Sequence, residues 1–152
     1  MASLEQVSAL MVEAASLDED VAAVVRNAEG NWVVRFEAVD VEVGCNAEGN
    51  RLVLMTTIGV PPPERRLAVL EAMMTYNFLV LDTGGVRMAM TGTDGEIVQM
   101  VDLGIDGLTA RGLATILANM ERKTLVWRGF VGAASADAAV APAAQETVTF
   151  QA

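Results

Sequence analysis

The sequence contains no histidine and only one cysteine, Cys45, in 152 residues. Without histidine, the chain cannot build a Ser-His-Asp or Cys-His catalytic site, or a metal centre with histidine ligands. A single cysteine excludes an internal disulfide and a cysteine-based zinc site, and no glycine-rich stretch has the Gly-Lys-Ser/Thr ending of a phosphate-binding loop. We therefore expect no metal and no cofactor, which leaves carboxylates, hydroxyls, one tyrosine and Lys123 for any catalysis.

Long apolar runs are also missing. No stretch approaches the roughly 18 apolar residues of a membrane span, and the start, MASLEQVSALMVEAASLDED, carries acids where a signal peptide has a basic region. We therefore expect a protein that inserts into no membrane and stays in the cytoplasm. Hydrophobic residues make up 53% of the chain, which is enough for a sizeable core, and the length suggests one domain with a tail.

Basic residues are scarce, because 10 Lys and Arg stand against 20 Asp and Glu, for a net charge of −10. The imbalance is concentrated in residues 1–50, where Arg26 and Arg35 are the only bases. Such an acidic half would repel phosphates, so nucleic acid and anionic membrane are disfavoured as partners. The charge would attract a basic partner, but it serves solubility equally well, and the sequence leaves both interpretations open.

The apolar pattern predicts a helix, three strands, a second helix, a two-stranded hairpin and a last helix. Ser3 and Gln6 form a capping box before the first helix, which is expected over residues 4–16. In the first strand, Trp32, Val34 and Phe36 share one face, because side chains alternate along a strand. The same reasoning places the remaining elements near residues 39–43, 52–58, 64–78, 86–90, 97–103 and 108–130.

This order, α-βββ-α-ββ-α, with tight turns between most strands, predicts a two-layer α+β domain with an antiparallel sheet. The stretch Val21 to Val25 is short and ambiguous and receives no assignment. We expect the domain to occupy residues 1–131. Residues 132–152 are rich in alanine and lack an apolar period, so we predict a mostly disordered tail there.

The helix predicted after Pro61–Pro63 is apolar on two sides. Its residues fall into two stripes about a third of a turn apart, and Glu71 is the only charge between Leu67 and Leu81. Such a helix is either sandwiched within the fold or shared with a second copy of the chain. We favour a homodimer interface formed by Leu67, Val69, Leu70, Met73, Met74, Tyr76 and Phe78.

Asp82-Thr83-Gly84 follows an apolar run, as the catalytic acid does in dimeric aspartic proteases. The surrounding sequence disfavours that function, because Gly85 stands where a small polar or alanine residue is needed and a long helix, not a strand, leads into the motif. Asp82 and Thr83 are instead expected to accept backbone hydrogen bonds in a turn, with the two glycines supplying positive φ.

The element order resembles the class I type III secretion chaperones, the Tir chaperone family, over about residues 3–130. The resemblance is carried by TYNFLVLDTGGVRMAM, QMVDLGIDGLT and LATILANMERKTLVW. It implies a small, acidic bacterial protein of the cytoplasm that forms a homodimer, has no enzymatic activity and serves virulence. It also implies that the dimer binds an N-terminal segment of a secreted effector. The segment is bound in extended form, and the effector stays soluble and competent for secretion.

If that resemblance holds, the first helix and the first sheet should supply apolar grooves for the effector segment. The candidate residues are Val7, Leu10, Met11, Trp32, Val34, Phe36, Val53 and Met55. For each of them the sequence leaves open whether the side chain faces the groove or the core. A related α+β adaptor or regulatory binding module without a role in secretion remains the alternative function.

Overall fold

A computed structural model describes residues 3–46, 48 and 50–132 of the chain. These residues form three α-helices, six strands and one 3-10 turn at Pro63–Arg65. The helices are α1 (Leu4–Ser16), α2 (Arg66–Phe78) and α3 (Ala110–Val131). The strands are β1 (Ala23–Arg26), β2 (Trp32–Arg35), β3 (Asp40–Asn46), β4 (Arg51–Gly59), β5 (Arg87–Met90) and β6 (Ile97–Gly104).

All six strands belong to one antiparallel sheet with the order β1-β2-β3-β4-β6-β5. The predicted α+β class with an antiparallel sheet is therefore confirmed. The described residues contain one strand more than predicted, because β1 overlaps the unassigned stretch Val21 to Val25 and pairs with β2, with Val24 opposite Val34. Strand β1 depends on this pairing, since its four residues show no alternation of burial.

Local signals set the ends of the helices. The capping box before α1 is present, since the Gln6 N–H donates to Ser3 Oγ at 3.2 Å and the Ser3 N–H donates to Gln6 Oε1 at 2.8 Å. Helix α2 begins at Arg66, two residues later than predicted, because Pro63 opens a 3-10 turn first. Helix α3 ends at Val131, and the predicted tail, apart from Gly132, lies outside the described residues.

One face of the sheet carries the core. Helices α1 and α3 pack on it, and Trp127 of α3 meets Tyr76 of α2 edge-on, with the ring centroids 5.4 Å apart. A small polar group joins α3 to the sheet: Thr56 Oγ1 and Thr124 Oγ1 lie 2.7 Å apart, and Gln99 Nε2 donates to both Thr124 Oγ1 and the Met120 carbonyl. These contacts fix which face of the sheet the helices cover.

Helix α2 lies along the β5 edge. Its Asn77 side chain bonds to the backbone of Met88 in β5, while Val69, Met73 and Tyr76 are buried in the core. Because α1 and α3 occupy the core face and α2 the edge, the second face of the sheet carries no helix within the described part of the chain. That second face is called the open face below.

Candidate partner-binding and self-association surfaces

The open face carries a row of six side chains, one from each strand, at right angles to the strands. Because neighbouring strands lie about 4.8 Å apart, this cross-strand row is about 24 Å long. Four of its members are apolar, and all except the terminal arginine are half-buried. In sheet order, the cross-strand row runs through Val25, Val33, Glu42, Met55, Met100 and Arg87.

The predicted groove residues divide between the core and accessible positions. Five of them are buried in the core, because their side chains point from α1 or the first strands into the space between the sheet and the helices. A partner could reach these five only by opening the core, so we remove them from the binding surface. The five residues are Val7, Met11, Trp32, Val34 and Phe36.

The other three predicted groove residues are partly accessible. Leu10 of α1 packs against the margin of the core, whereas Val53 and Met55 of β4 lie on the open face and are half-buried. Their binding role stays a prediction. Val33 and Met100 also lie on the open face, although the sequence did not single them out. The signal for this face was present in β3, where Val41 and Val43 alternate with a carboxylate and so mark the all-apolar side as the core.

Helix α2 buries one of its two apolar stripes within the fold and exposes the other, where a second copy of the chain could bind. Val69, Met73 and Tyr76 are buried inside the protomer, which corrects their placement at a dimer interface. The other stripe faces outward: Leu67 is 69% exposed and Met74 is 71% exposed. Leu70 is half-buried and Phe78 is exposed on the same side. The predicted interface is therefore reduced to the outer stripe, Leu67, Leu70, Met74 and Phe78, and stays a prediction.

The outer stripe continues past the end of the helix. Phe78 is 85% exposed and Leu81, in the following turn, is 88% exposed. Single exposed apolar side chains are common on protein surfaces. A contiguous group of them, in contrast, marks an interaction site. Leu67, Met74, Phe78 and Leu81 are thus four large exposed apolar side chains along α2 and the turn that follows it.

The Asp82-Thr83-Gly84 segment is a turn at the end of α2. Asp82 is exposed, and its backbone N–H donates to the Leu79 carbonyl at 2.8 Å. Thr83 is buried, and its hydroxyl donates toward the Val86 carbonyl at 2.8 Å and the Val80 carbonyl at 3.1 Å, which corrects the prediction that it accepts backbone hydrogen bonds. Gly84 and Gly85 adopt φ values of 65° and 82°, which favour glycine. The segment redirects the chain from α2 into β5 and does not form a covered cleft around the acid.

The charged groups of the open face are mostly paired. Arg51 Nε donates to Asp102 Oδ1 at 2.7 Å, and Arg35 lies 3.7 Å from Asp40. Elsewhere, burial raises the pKa of the Cys45 thiol, and the nearby Arg26 partly opposes this effect. Within the residues that the structure describes, no group of acidic and cysteine side chains could hold a metal ion. No helix in the same residues is long and apolar enough to cross a bilayer.

Comparison with known proteins gives one family. The sequence profile of the Tir chaperone protein (CesT) family matches residues 6–128. A search of curated protein sequences found no match. The family profile covers every helix and strand of the sheet domain apart from the first residues of α1 and the last residues of α3.

Several solved structures share the fold. A chain of the ExsC–ExsE complex superposes with a TM-score of 0.71 at 19% identity, covering 89% of this chain and 100% of that one. The complex of the Yersinia pestis type III secretion chaperone SycH with a stable fragment of YscM2 gives a TM-score of 0.61 at 20% identity, covering 79% and 98%. The HopA1–SchA chaperone–effector complex gives 0.61 at 13% identity, covering 84% and 98%.

Proposed function

The chain belongs to the Tir chaperone protein (CesT) family, and from this membership we propose that it is an export chaperone for a type III secreted effector. The observation that carries the proposal is the family match over residues 6–128, which spans nearly the whole sheet domain. Two structures of the same fold are a type III secretion chaperone with a fragment of another protein and a chaperone–effector complex. The family match and these two structures support the binding of an effector segment.

The open face suits a partner without its own fold. A non-globular segment loses conformational entropy when it binds, so its affinity must come from a large contact area. The cross-strand row offers about 24 Å of mostly apolar surface, and methionine side chains such as Met55 and Met100 adapt to irregular partners. We propose the open face, which includes Val53, as the effector-binding surface, with Leu10 of α1 as a separate accessible position on the helix-covered side.

The sheet also leaves one edge available for strand addition. On β5, Asn77 of α2 occupies the outward backbone groups of Met88. Strand β1 pairs only with β2, and its outer edge meets no other strand among the described residues. An extended peptide can add a strand to such an edge and gain backbone hydrogen bonds. We propose that part of the effector segment pairs with Ala23–Arg26 before it crosses the open face.

Self-association completes the proposed chaperone. Three residues of the outer stripe, Leu67, Met74 and Phe78, together with Leu81 expose four large apolar side chains that a second copy would cover. A C2 interface uses the same patch on both subunits, and a self-complementary apolar helix face suits that symmetry. The homodimer would join two open faces into one extended surface for the effector.

We further propose that the protein acts in the bacterial cytoplasm by binding alone. The family is a chaperone family, and a chaperone that delivers a client for export must meet it before secretion. Asp82, the residue with the strongest catalytic pattern in the sequence, lies exposed in a turn. Catalysis is therefore not needed to explain any feature of the described surface.

The test is a pull-down of the tagged chain from its native host, followed by mass spectrometry and truncation of the protein that is found. We expect a secreted effector, retained by its N-terminal segment and lost when that segment is deleted. Met55→Asp, which places a charge on the open face, should weaken retention, while Glu96→Gln in the β5–β6 turn should not. Recovery of a protein that is never secreted would contradict the export role and favour a regulatory module.

A further inference from the structure

Glu42 interrupts the apolar part of the cross-strand row. It stands on β3 between Val33 of β2 and Met55 of β4, which are its partners in the sheet register. The flanking positions Val41 and Val43 are buried in the core, so the Glu42 side chain projects onto the open face. A carboxylate thus occupies the third of six positions in a row whose first, second, fourth and fifth members are apolar.

The carboxylate is held in place by two amides. Asn31 Nδ2 donates to Glu42 Oε1 at 2.7 Å, and Asn27 Nδ2 donates to the same oxygen at 3.0 Å. The Asn31 backbone N–H in turn donates to Asn27 Oδ1 at 2.9 Å, which orients the donor pair. Both bonds end on Oε1, so Oε2 keeps its capacity to accept hydrogen bonds from outside the protomer.

Glu42 forms no ion pair within the described part of the chain, because Arg35, its diagonal neighbour on β2, pairs with Asp40 instead. The other two acids of the open face are paired, Asp40 with Arg35 and Asp102 with Arg51. Arg87, at the end of the row, is separated from Glu42 by strands β4 and β6, a distance of about 14 Å. This exceeds the screening length of about 8 Å at physiological ionic strength.

A partner that covers the row must therefore compensate a buried charge. Removing a carboxylate from water without an opposite charge is costly, whereas a charge-assisted hydrogen bond to an ammonium or guanidinium compensates the loss. Resting on the proposed function of the open face, we infer that Glu42 selects effector segments with a lysine or arginine inside an apolar stretch. The basic residue is internal because Glu42 lies about 10 Å from one end of the row and about 14 Å from the other.

A displayed library of random peptides tests this selection even while the effector is unidentified. Peptides of about 16 residues are long enough to span the row even as helices. The full-length protein and four variants, Glu42→Gln, Glu42→Lys, Glu96→Gln and Glu96→Lys, are each used for selection. The Glu42→Gln variant retains an oxygen that accepts the Asn27 and Asn31 bonds and so preserves the turn, and thermal unfolding checks the fold of all five proteins.

The Glu96 variants control for non-specific attraction. Glu96 is exposed in the β5–β6 turn, and its replacement changes the net charge as much as the Glu42 substitution does. We expect the wild-type protein to enrich internal Lys or Arg, flanked by apolar residues, about tenfold over the starting library. Glu42→Gln should abolish the enrichment and Glu42→Lys should replace it with Asp or Glu, while both Glu96 variants should select as the wild type does.

The possible failures are distinguishable. Selected peptides that are apolar but contain no enriched basic residue would overturn the role of Glu42 and leave the proposed binding face intact. Equal loss of basic residues with Glu42→Gln and Glu96→Gln would show attraction by net charge only and would also overturn it. If no protein selects any peptide, the open face does not bind extended segments, and both the proposed function of that face and this inference are contradicted.

Discussion

Asn77 pairs with the backbone of Met88 through both ends of its side-chain amide. Its Oδ1 accepts from the Met88 N–H at 2.8 Å, and its Nδ2 donates to the Met88 carbonyl at 2.9 Å. This is the pair of bonds that a neighbouring strand would form, so a single residue of α2 caps the β5 edge at Met88. The other edge of the sheet, at β1, has no such cover among the described residues.

Asn77→Ala should therefore destabilise the protein and expose the β5 edge. Loss of two part-buried hydrogen bonds predicts a decrease of about 1 to 3 kcal/mol in the free energy of unfolding. Chemical denaturation measures this directly, with Thr75→Ala on an exposed face of the same helix as the control. An Asn77→Ala variant as stable as the control would show that the amide does not hold the edge.

The two stripes of α2 should respond differently to the same substitution. Met74→Glu, on the outer stripe, should give a folded monomer in place of a dimer of about 32 kDa, twice the 16.0 kDa chain. Met73→Glu should unfold the protomer, because it buries an uncompensated charge in the core. Light scattering and circular dichroism distinguish the outcomes.

Thr75→Glu serves as the matched control for the interface, since Thr75 is exposed on α2 but lies outside the outer stripe. It should remain dimeric. A dimer that survives Met74→Glu would place the interface elsewhere, and a wild-type protein that is monomeric at micromolar concentration would contradict self-association altogether.

The polar group between α3 and the sheet should be essential to stability. Thr124→Val removes the oxygen that serves both Thr56 Oγ1 and Gln99 Nε2, leaving buried polar atoms with fewer partners. We expect a loss of about 1 to 3 kcal/mol in the free energy of unfolding. Thr115→Val, the same change at an exposed position of α3, should cost less than about 0.5 kcal/mol. Equal effects at both positions would argue against the buried network.

Tyr76 should make stability fall at high pH. Burial raises the pKa of Tyr76 to about 12, above its ordinary value near 10. Between these values the unfolded state releases the phenolic proton while the folded state keeps it, so unfolding becomes easier as pH rises. The contribution is fully present below about pH 10 and is lost by about pH 12, a difference of about 2 to 3 kcal/mol.

The only tyrosine in the chain makes this prediction accessible by tyrosinate absorbance. Tyr76→Phe should remove the corresponding part of the pH dependence. At neutral pH it should be neutral or stabilising, because the buried Tyr76 hydroxyl has no hydrogen-bond partner in the described residues. An ordinary pKa in the absorbance titration would show that the ring is accessible to water.

Sequence periodicity predicted which residues share a face but not which face meets the helices. Trp32 and Val34 do lie together, as expected, yet on the core side, because α1 and α3 cover that side. The choice depends on contacts between α3 and residues such as Thr56 and Gln99, far apart in the sequence. Pairing with β2 likewise created β1 from a segment with no pattern of its own.

The sequence also did not decide which of the two apolar stripes of α2 is buried. The spacing showed two stripes, and the structure buries one of them in the core, where Tyr76 contacts Trp127, and leaves the other exposed. In the turn after α2, Gly84 and Gly85 take the positive φ that was predicted, whereas the Thr83 hydroxyl donates its local bonds instead of accepting them. Features set by neighbouring residues could thus be predicted from the sequence, whereas features set by long-range packing could not.

The central claim is that the open face of the sheet binds an extended effector segment. Its most direct test is calorimetric titration of the N-terminal segment of the co-purifying effector into the wild-type protein and into Met55→Asp. We predict binding with a large negative heat-capacity change, weakened at least about tenfold by Met55→Asp while the protein stays folded. Undiminished binding to a folded Met55→Asp variant would contradict the claim.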